Sequence, residues 1–135
     1  MIPALCGFFT GSLAAPGPSP LSTSILDLRY ESEKFLDKTV MLHGYFSDKA
    51  SNDLWIYISS EAAQRQSKHY GIQLVAATDE IEELRRGCGA GYAFVVGHFT
   101  VPESSGIGLI LVEKIVMHDA GPSTDAISCW ERLSE

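Results

Sequence analysis

A mainly β protein, built as one small five-stranded barrel with a helix ahead of its first strand and a short helix between its third and fourth, is predicted by this 135-residue chain. The first sign is a repeated lettering: Val40-Met41-Leu42-His43-Gly44-Tyr45-Phe46 returns, altered, as Ala93-Phe94-Val95-Val96-Gly97-His98-Phe99. In each copy small or aliphatic residues, a glycine and a phenylalanine take alternate positions, the period of a strand with one buried face. The second sign is the glycine itself. It weakens a strand unless a bulge, a bend or a close backbone approach is gained, and a strongly coiled barrel needs such bends. The third is composition, since 45% hydrophobic and 20% charged residues suit one globular domain with a sizeable core.

In chain order, residues 1–21 form a signal-like or disordered segment that ends in a proline-rich linker. Met1 to Ala15 are apolar and uncharged and precede Pro16-Gly17-Pro18-Ser19-Pro20. This resembles the apolar core and small-residue region of a secretory signal without its basic start, the alternative being a loose tail. The run is shorter than the ~20 residues that cross a bilayer as a helix, so no stable membrane span is expected.

The domain proper is expected over 22–118. Ser22, Thr23 and Ser24 offer caps to a helix from Ile25 to about Asp37, with Asp27 in its first turn and an imperfect apolar side of Ile25, Leu28, Tyr30, Phe35 and Leu36. In the strand that follows, Val40, Leu42, Gly44 and Phe46 face inward. The second strand, Leu54 to Ile58, places Leu54, Ile56 and Ile58 inside and leaves Trp55 and Tyr57 on the outer face. Glu61 to His69 reads as a polar insertion with one or two helical turns, and Gly71 to Val75 as the third strand. Thr78 or Asp79 caps a helix Asp79 to Arg86, acidic at its start, basic at its end and closed by Gly87. Tyr92 to Phe99 is the fourth strand, Thr100 to Gly108 a loop long enough to touch a ligand, and Leu109 to His118 the fifth strand, with a bulge or exit marked by Glu113-Lys114. Residues 119–135 read as a C-terminal tail anchored by Trp130 and Leu133.

Five strands with a helix between the third and fourth is the element order of the OB-fold, a Greek-key barrel that binds ligands on its second and third strands and the adjoining loops. The N-terminal helix, then Lys38-Thr39-Val40-Met41-Leu42-His43-Gly44-Tyr45-Phe46, then Gly91 to Phe99 with its Val-x-Gly-x-Phe, resembles small bacterial OB domains of the tRNA-anticodon-binding-like family. The resemblance covers about Ile25 to His118. It implies a five-stranded barrel of the kind found in exported or envelope proteins, and single-stranded nucleic acid as one ligand class.

The candidate ligand-binding set is Trp55 and Tyr57 on the second strand, Tyr45 on the first, Gln73 on the third, Lys49 and Asn52 in the first loop, and Ser104 and Ser105 in the fourth. Outward aromatics at such positions stack on bases or sugar rings, each base worth ~1 to 3 kcal/mol, unless another part of the molecule covers them. If Gly44 pairs with Gly97, His43 lies opposite His98, and two imidazoles so placed are a lean candidate for a metal contact; further ligands are not apparent, and two plain polar strand residues are the simpler reading. Gly87-Cys88-Gly89-Ala90-Gly91 follows a helix and precedes a strand, the reverse of a phosphate loop. No cofactor is implied. The three cysteines, Cys6, Cys88 and Cys129, are too few for a disulfide framework and lack metal spacing, which leaves one Cys88–Cys129 bridge or three free thiols.

With ten Lys and Arg against seventeen Asp and Glu, the formal charge is −7. Counterion-release binding to nucleic acid needs a basic patch, so the balance points instead to a basic protein partner or a neutral ligand, and the outer face of the second strand to that partner or to self-association. No nucleophile, base and orienter are gathered in any local motif. The expectation is therefore a non-catalytic binding module of the bacterial envelope, periplasmic or secreted, otherwise cytoplasmic. Single-stranded nucleic acid or oligosaccharide on the strand 2/3 face is the alternative, and a histidine-based metal site or hydrolase the least favoured one.

Overall fold

Alternation decides the barrel. In the computed structural model, which describes residues 19–47, 54–117 and 127–132, Val40, Leu42, Gly44 and Phe46 all point into the core as the period requires. The elements are β1 Leu21–Thr23, α1 Ile25–Tyr30, β2 Thr39–Ser47, β3 Leu54–Tyr57, α2 Ser60–Arg65, β4 Gly71–Val75, α3 Thr78–Gly87, β5 Gly91–Thr100, β6 Leu109–Met117 and β7 Ile127–Glu131, with single 3-10 turns at Ser32–Lys34 and Lys68–Tyr70. Strands pair in the order β2-β3-β4-β6-β5, and β5 pairs back onto β2, so the five-stranded barrel is closed. All its contacts are antiparallel except β4 with β6, which run parallel. The long connection between them carries α3 and β5, and the architecture is that of the OB-fold.

Two strands were not foreseen, and one geometric rule accounts for both. The long strands β2 and β6 are fully paired with β5 on one side, but on the other side each has a barrel neighbour for only part of its length. β2 meets β3 through Tyr45, Phe46 and Ser47, and β1 pairs parallel with Val40, Met41 and Leu42. β6 meets β4 through Leu109, Ile110 and Leu111, and β7 pairs antiparallel with the stretch Lys114 to Met117. Unpaired backbone groups are thereby satisfied on both long strands, and free edges are shortened. The segment read as a tail therefore contributes a strand, and Trp130 is seated in the main core. Leu133 lies outside the described residues.

The helix read as Ile25 to Asp37 is shorter. Ser24 Oγ accepts the Asp27 N–H at 3.1 Å, and Ile25 and Leu28 bury one turn of apolar surface against the barrel. The next positions on that side, Glu31 and Ser32, are polar, so the stripe ends and the chain passes into a 3-10 turn that carries Phe35 to the core edge. Asp37, at φ 59°, reverses the chain into β2. Gly87 is not a left-handed cap either. It is the last residue of α3, and a Cβ there would lie 2.5 Å from the Cys129 carbonyl, so its role is to admit β7. Ile58, expected inside, is exposed because the chain leaves β3 at Tyr57 and turns toward the Ser59 cap of α2.

Bulges re-aim side chains where β6 changes partner. Val96 opposes Lys114 while Gly97 opposes Val112, so Glu113 is an extra residue on β6, in agreement with the bulge read at Glu113-Lys114. Ile115 opposes Trp130 while Val116 opposes Ser128, so Cys129 is the extra residue on β7. Cys129 is bonded to the buried Cys88 at the end of α3. At the other end of α3, Glu80 accepts the Ala77 N–H at 3.0 Å and receives Arg132 Nε and Nη2, each at 3.2 Å. β7 is therefore tied to α3 at both ends.

That clasp makes a pH prediction. The Ala77 N–H, and after it Arg132, hold the Glu80 carboxyl below its ordinary value against an opposing effect of partial burial. A depressed carboxylate contributes stability that is present above the unfolded-state value and lost as pH falls through the folded one. Glu80→Gln keeps an acceptor for Ala77 but removes the charge, so it should lower stability at pH 7 by about 0.5 kcal/mol, the scale of a partly exposed ion pair. In urea titrations the gap between variant and wild type should close on acidification below the normal glutamate range; a gap that stays constant to pH 3 would show that the charge contributes nothing.

Candidate functional site

Binding surfaces of this fold are built on β3, β4 and the loops beside them, and the chain places a cleft of about 380 Å³ there. Its cationic and imidazole groups are Arg29 from α1, and Lys68 and His69 from the turn before β4. Its neutral polar groups are Gln73 on β4 and Ser105 in the loop 101–108. Trp55, Ile107 and Leu109 supply the apolar surface. Among the described residues no carboxylate lines it. Whole-chain charge pointed to a basic partner; the cleft reverses that sign locally.

Each position follows from local structure. Trp55 pairs with Gln73 across the β3–β4 ladder, and Gln73 with Leu109 across β4–β6, so three adjoining strands bring these side chains side by side. Arg29 Nη1 donates to the Gly71 carbonyl at 3.0 Å, which fixes the guanidinium over the start of β4 and leaves its other N–H groups for a ligand. Ser105 Oγ accepts the Ile107 N–H at 3.2 Å, and the Gly106 N–H donates to the Pro102 carbonyl at 2.8 Å, so the loop is internally braced. A smaller hollow of about 140 Å³ continues the cleft past Arg29 and Ile107, with Leu28, Ile72 and Val101 in its walls.

The aromatic residues divide differently from the reading of an open outer face. Trp55 is 9% exposed and Tyr57 3% exposed. The covering element is α2, whose Ala62 and Ala63 are small enough to lie directly on the rings, with Tyr45 completing the cluster. Burial raises the Tyr57 phenol above its ordinary value. Trp55 still lines the cleft, but its ring stacks with Tyr57 at 6.0 Å between centroids and carries Lys68 Nζ at 5.2 Å. Among the described residues its indole N–H has no hydrogen-bond partner.

Of the sequence candidates, Trp55, Gln73 and Ser105 are thus brought together. Tyr57 and Tyr45 belong to the cluster beneath α2, Ser104 is exposed in the loop without lining the cleft, and Lys49 and Asn52 lie outside the described residues. Arg29, Lys68, His69, Ile107 and Leu109 were missed as site residues. The adjacent Lys68-His69 pair between two strands was the available signal for part of them.

The His43–His98 pair is not formed. His43 opposes Phe94 and His98 opposes Thr39, four ladder positions apart, because Gly44 pairs with Ala93 and Gly97 with Val40. That spacing is roughly 13 Å along the strands. His43 instead stacks with Tyr92 at 5.7 Å and tilts against Phe94 at 4.7 Å. His98 lies 3.6 Å from Asp37 at the far end of β2. Among the described residues no group of three or more His, Cys, Asp or Glu could hold a metal ion, and no helix is long and apolar enough to cross a membrane.

Fold and cleft together define an OB-fold protein with a cationic recess on its β3–β4 face. Compared with protein-family models and with curated proteins, the chain matches none.

Proposed function

We propose that the chain is a non-catalytic OB-fold binding module that engages a protein partner through the β3–β4 cleft. The observation that carries this reading is the convergence of Trp55, Gln73 and Ser105 with Arg29, Lys68 and His69 around one braced recess. Single-stranded nucleic acid is less well served. Base stacking needs an open ring face, whereas Trp55 already carries Tyr57 and Lys68, and Tyr57 lies under α2. Among the described residues, the cationic groups lining the cleft are Arg29 and Lys68, which suits one or two negative charges better than a phosphate backbone. The Cys88–Cys129 bridge supports an oxidising compartment, in keeping with a periplasmic or secreted protein of a bacterial envelope.

Gln73→Trp fills the cleft from a half-buried strand position without altering the core face of β4. Immobilised wild-type chain should retain a partner from an envelope extract, and Gln73→Trp should lose it while keeping the wild-type melting temperature within about 2 °C. Equal retention by the two proteins would remove the cleft from the interaction. Retention of oligonucleotide with affinity falling steeply in salt would replace the protein partner by nucleic acid.

A further inference from the structure

Resting on that reading of the cleft, we infer that its occupant is an extended acidic peptide segment that sets a carboxylate against Arg29 and Lys68 and an aliphatic side chain into the adjoining hollow. Three features of the surface select this chemistry.

The first is charge. In a chain of net charge −7, the recess presents Arg29 and Lys68 with His69 beside them and, among the described residues, no acidic side chain in its lining. The guanidinium is held in place by the Gly71 carbonyl, so a carboxylate meets a pre-oriented donor. Lys68 is exposed and rests over the Trp55 ring; an anionic ligand can recruit its ammonium by a small side-chain movement.

The second is the shape of the adjoining hollow. Leu28, Ile72 and Val101 line it together with Ser32 and the loop glycines Gly106 and Gly108, and it measures about 140 Å³. A cavity of roughly 150 Å³ holds one benzene ring, so the hollow takes one branched aliphatic side chain and no large aromatic in addition. Arg29 and Ile107 belong to both compartments. A carboxylate and an aliphatic group bound on either side of this shared wall are neighbours on one face of an extended chain, where alternate residues recur about 6.6 Å apart.

The third is what the surface lacks. A free inorganic anion would use the cationic groups but leave the hollow and Ile107 and Leu109 wet. A nucleic acid would need the aromatic faces that Tyr57 and Lys68 already occupy. A peptide bearing both an acid and an aliphatic residue uses all of the recess.

The experiment is selection from a random linear peptide library on the full chain, followed by fluorescence anisotropy with the enriched peptide, its Glu/Asp-to-Lys counterpart, and an oligothymidylate probe. Enrichment of an acidic residue two positions from Leu, Ile or Val is expected. Lys68→Glu should weaken the acidic peptide about tenfold or more, as loss and reversal of a close charge pair does. The same variant should gain affinity for the Lys-bearing peptide, a swap that simple damage to the fold cannot produce. Ile107→Ala should weaken the aliphatic peptide more than a version with Ala at that place. If basic or neutral peptides are enriched and compete at the cleft, as judged by their loss in Gln73→Trp, this inference falls while the protein-binding reading stands. If only oligothymidylate binds, both fall. Absence of saturable binding by any acidic aliphatic peptide up to about 1 mM also overturns the inference.

Discussion

Replacing both bridge cysteines, Cys88→Ala with Cys129→Ala, should destabilise the protein by about 4 kcal/mol, the loop-closure value for residues of this separation. The two cysteines are 41 positions apart, and the closed loop includes β5 and β6, so the reduced denatured chain gains substantial freedom. Alanine is the suitable replacement because Cys88 is fully buried in the main core, where a serine hydroxyl would need a partner. The loss should be concentrated in β7, which reaches the barrel through four register pairs with β6, the Glu80–Arg132 contact and Trp130. Trp130 is one of only two tryptophans, so a Trp55→Phe background isolates its emission. Urea unfolding should shift to lower midpoint, and Trp130 emission should move to the red already under native conditions. A dithiol reductant should reproduce both effects in the bonded protein and leave the double variant unchanged. A destabilisation below about 1 kcal/mol with unshifted emission would show that β7 is held by pairing and packing alone, well under the usual 2–5 kcal/mol of a native bridge.

The barrel was legible because its strands obey a local rule. Val40, Leu42, Gly44 and Phe46 alternate with wetter neighbours, as do Ala93, Val95, Gly97 and Phe99, and the strand Gly71–Val75 was bounded correctly. What lay outside local rules was lost. β1 and β7 exist because parts of β2 and β6 lack other partners, a fact about distant register that three or five residues do not encode. The outward direction of Trp55 and Tyr57 was read correctly from period two, but α2 then lies over them, and only the small pair Ala62-Ala63 hinted at a helix able to approach rings so closely. Three of the eight lining residues, Trp55, Gln73 and Ser105, were readable, the first two for the same reason. Trp55 and Gln73 follow from strand order, whereas Arg29 and Lys68 join them from segments whose approach depends on the finished barrel. The free-standing assumption was the glycine pairing: treating Gly44 and Gly97 as partners brought His43 and His98 together, and the ladder does not.

The two glycines are instead corners, and their replacement should be among the most damaging single changes in the chain. Gly44 sits where β2 passes from its contact with β1 to its contact with β3; a Cβ there would lie 2.5 Å from the Tyr57 carbonyl and 2.8 Å from the Ile56 side chain. Gly97 sits beside the β5–β6 bulge, where a Cβ would run into the Leu111 carbonyl and the Ile110 side chain. Neither glycine has a positive φ, so dihedral preference is not the obstacle. The obstacle is that a neighbouring strand occupies the space, and at each position one of the obstructing groups is backbone, which cannot change rotamer. Overpacking in a yielding site costs about 1–3 kcal/mol, occasionally more; here the two strands must separate at a hydrogen-bonded ladder, so Gly44→Ala and Gly97→Ala should each cost about 3 kcal/mol or more. Gly89→Ala is the control, because among the described residues, its chain neighbours aside, nothing lies within 4 Å of its Cβ position. It should change stability by less than about 0.5 kcal/mol. Thermal unfolding of the three variants separates the explanations. Equal small losses would mean that the repeated glycine reflects only weak strand preference. Large losses confined to Gly44 and Gly97 would mean that the recurrence of glycine in the two strands reflects one geometric demand, met on β2 by β3 and on β5 by β6.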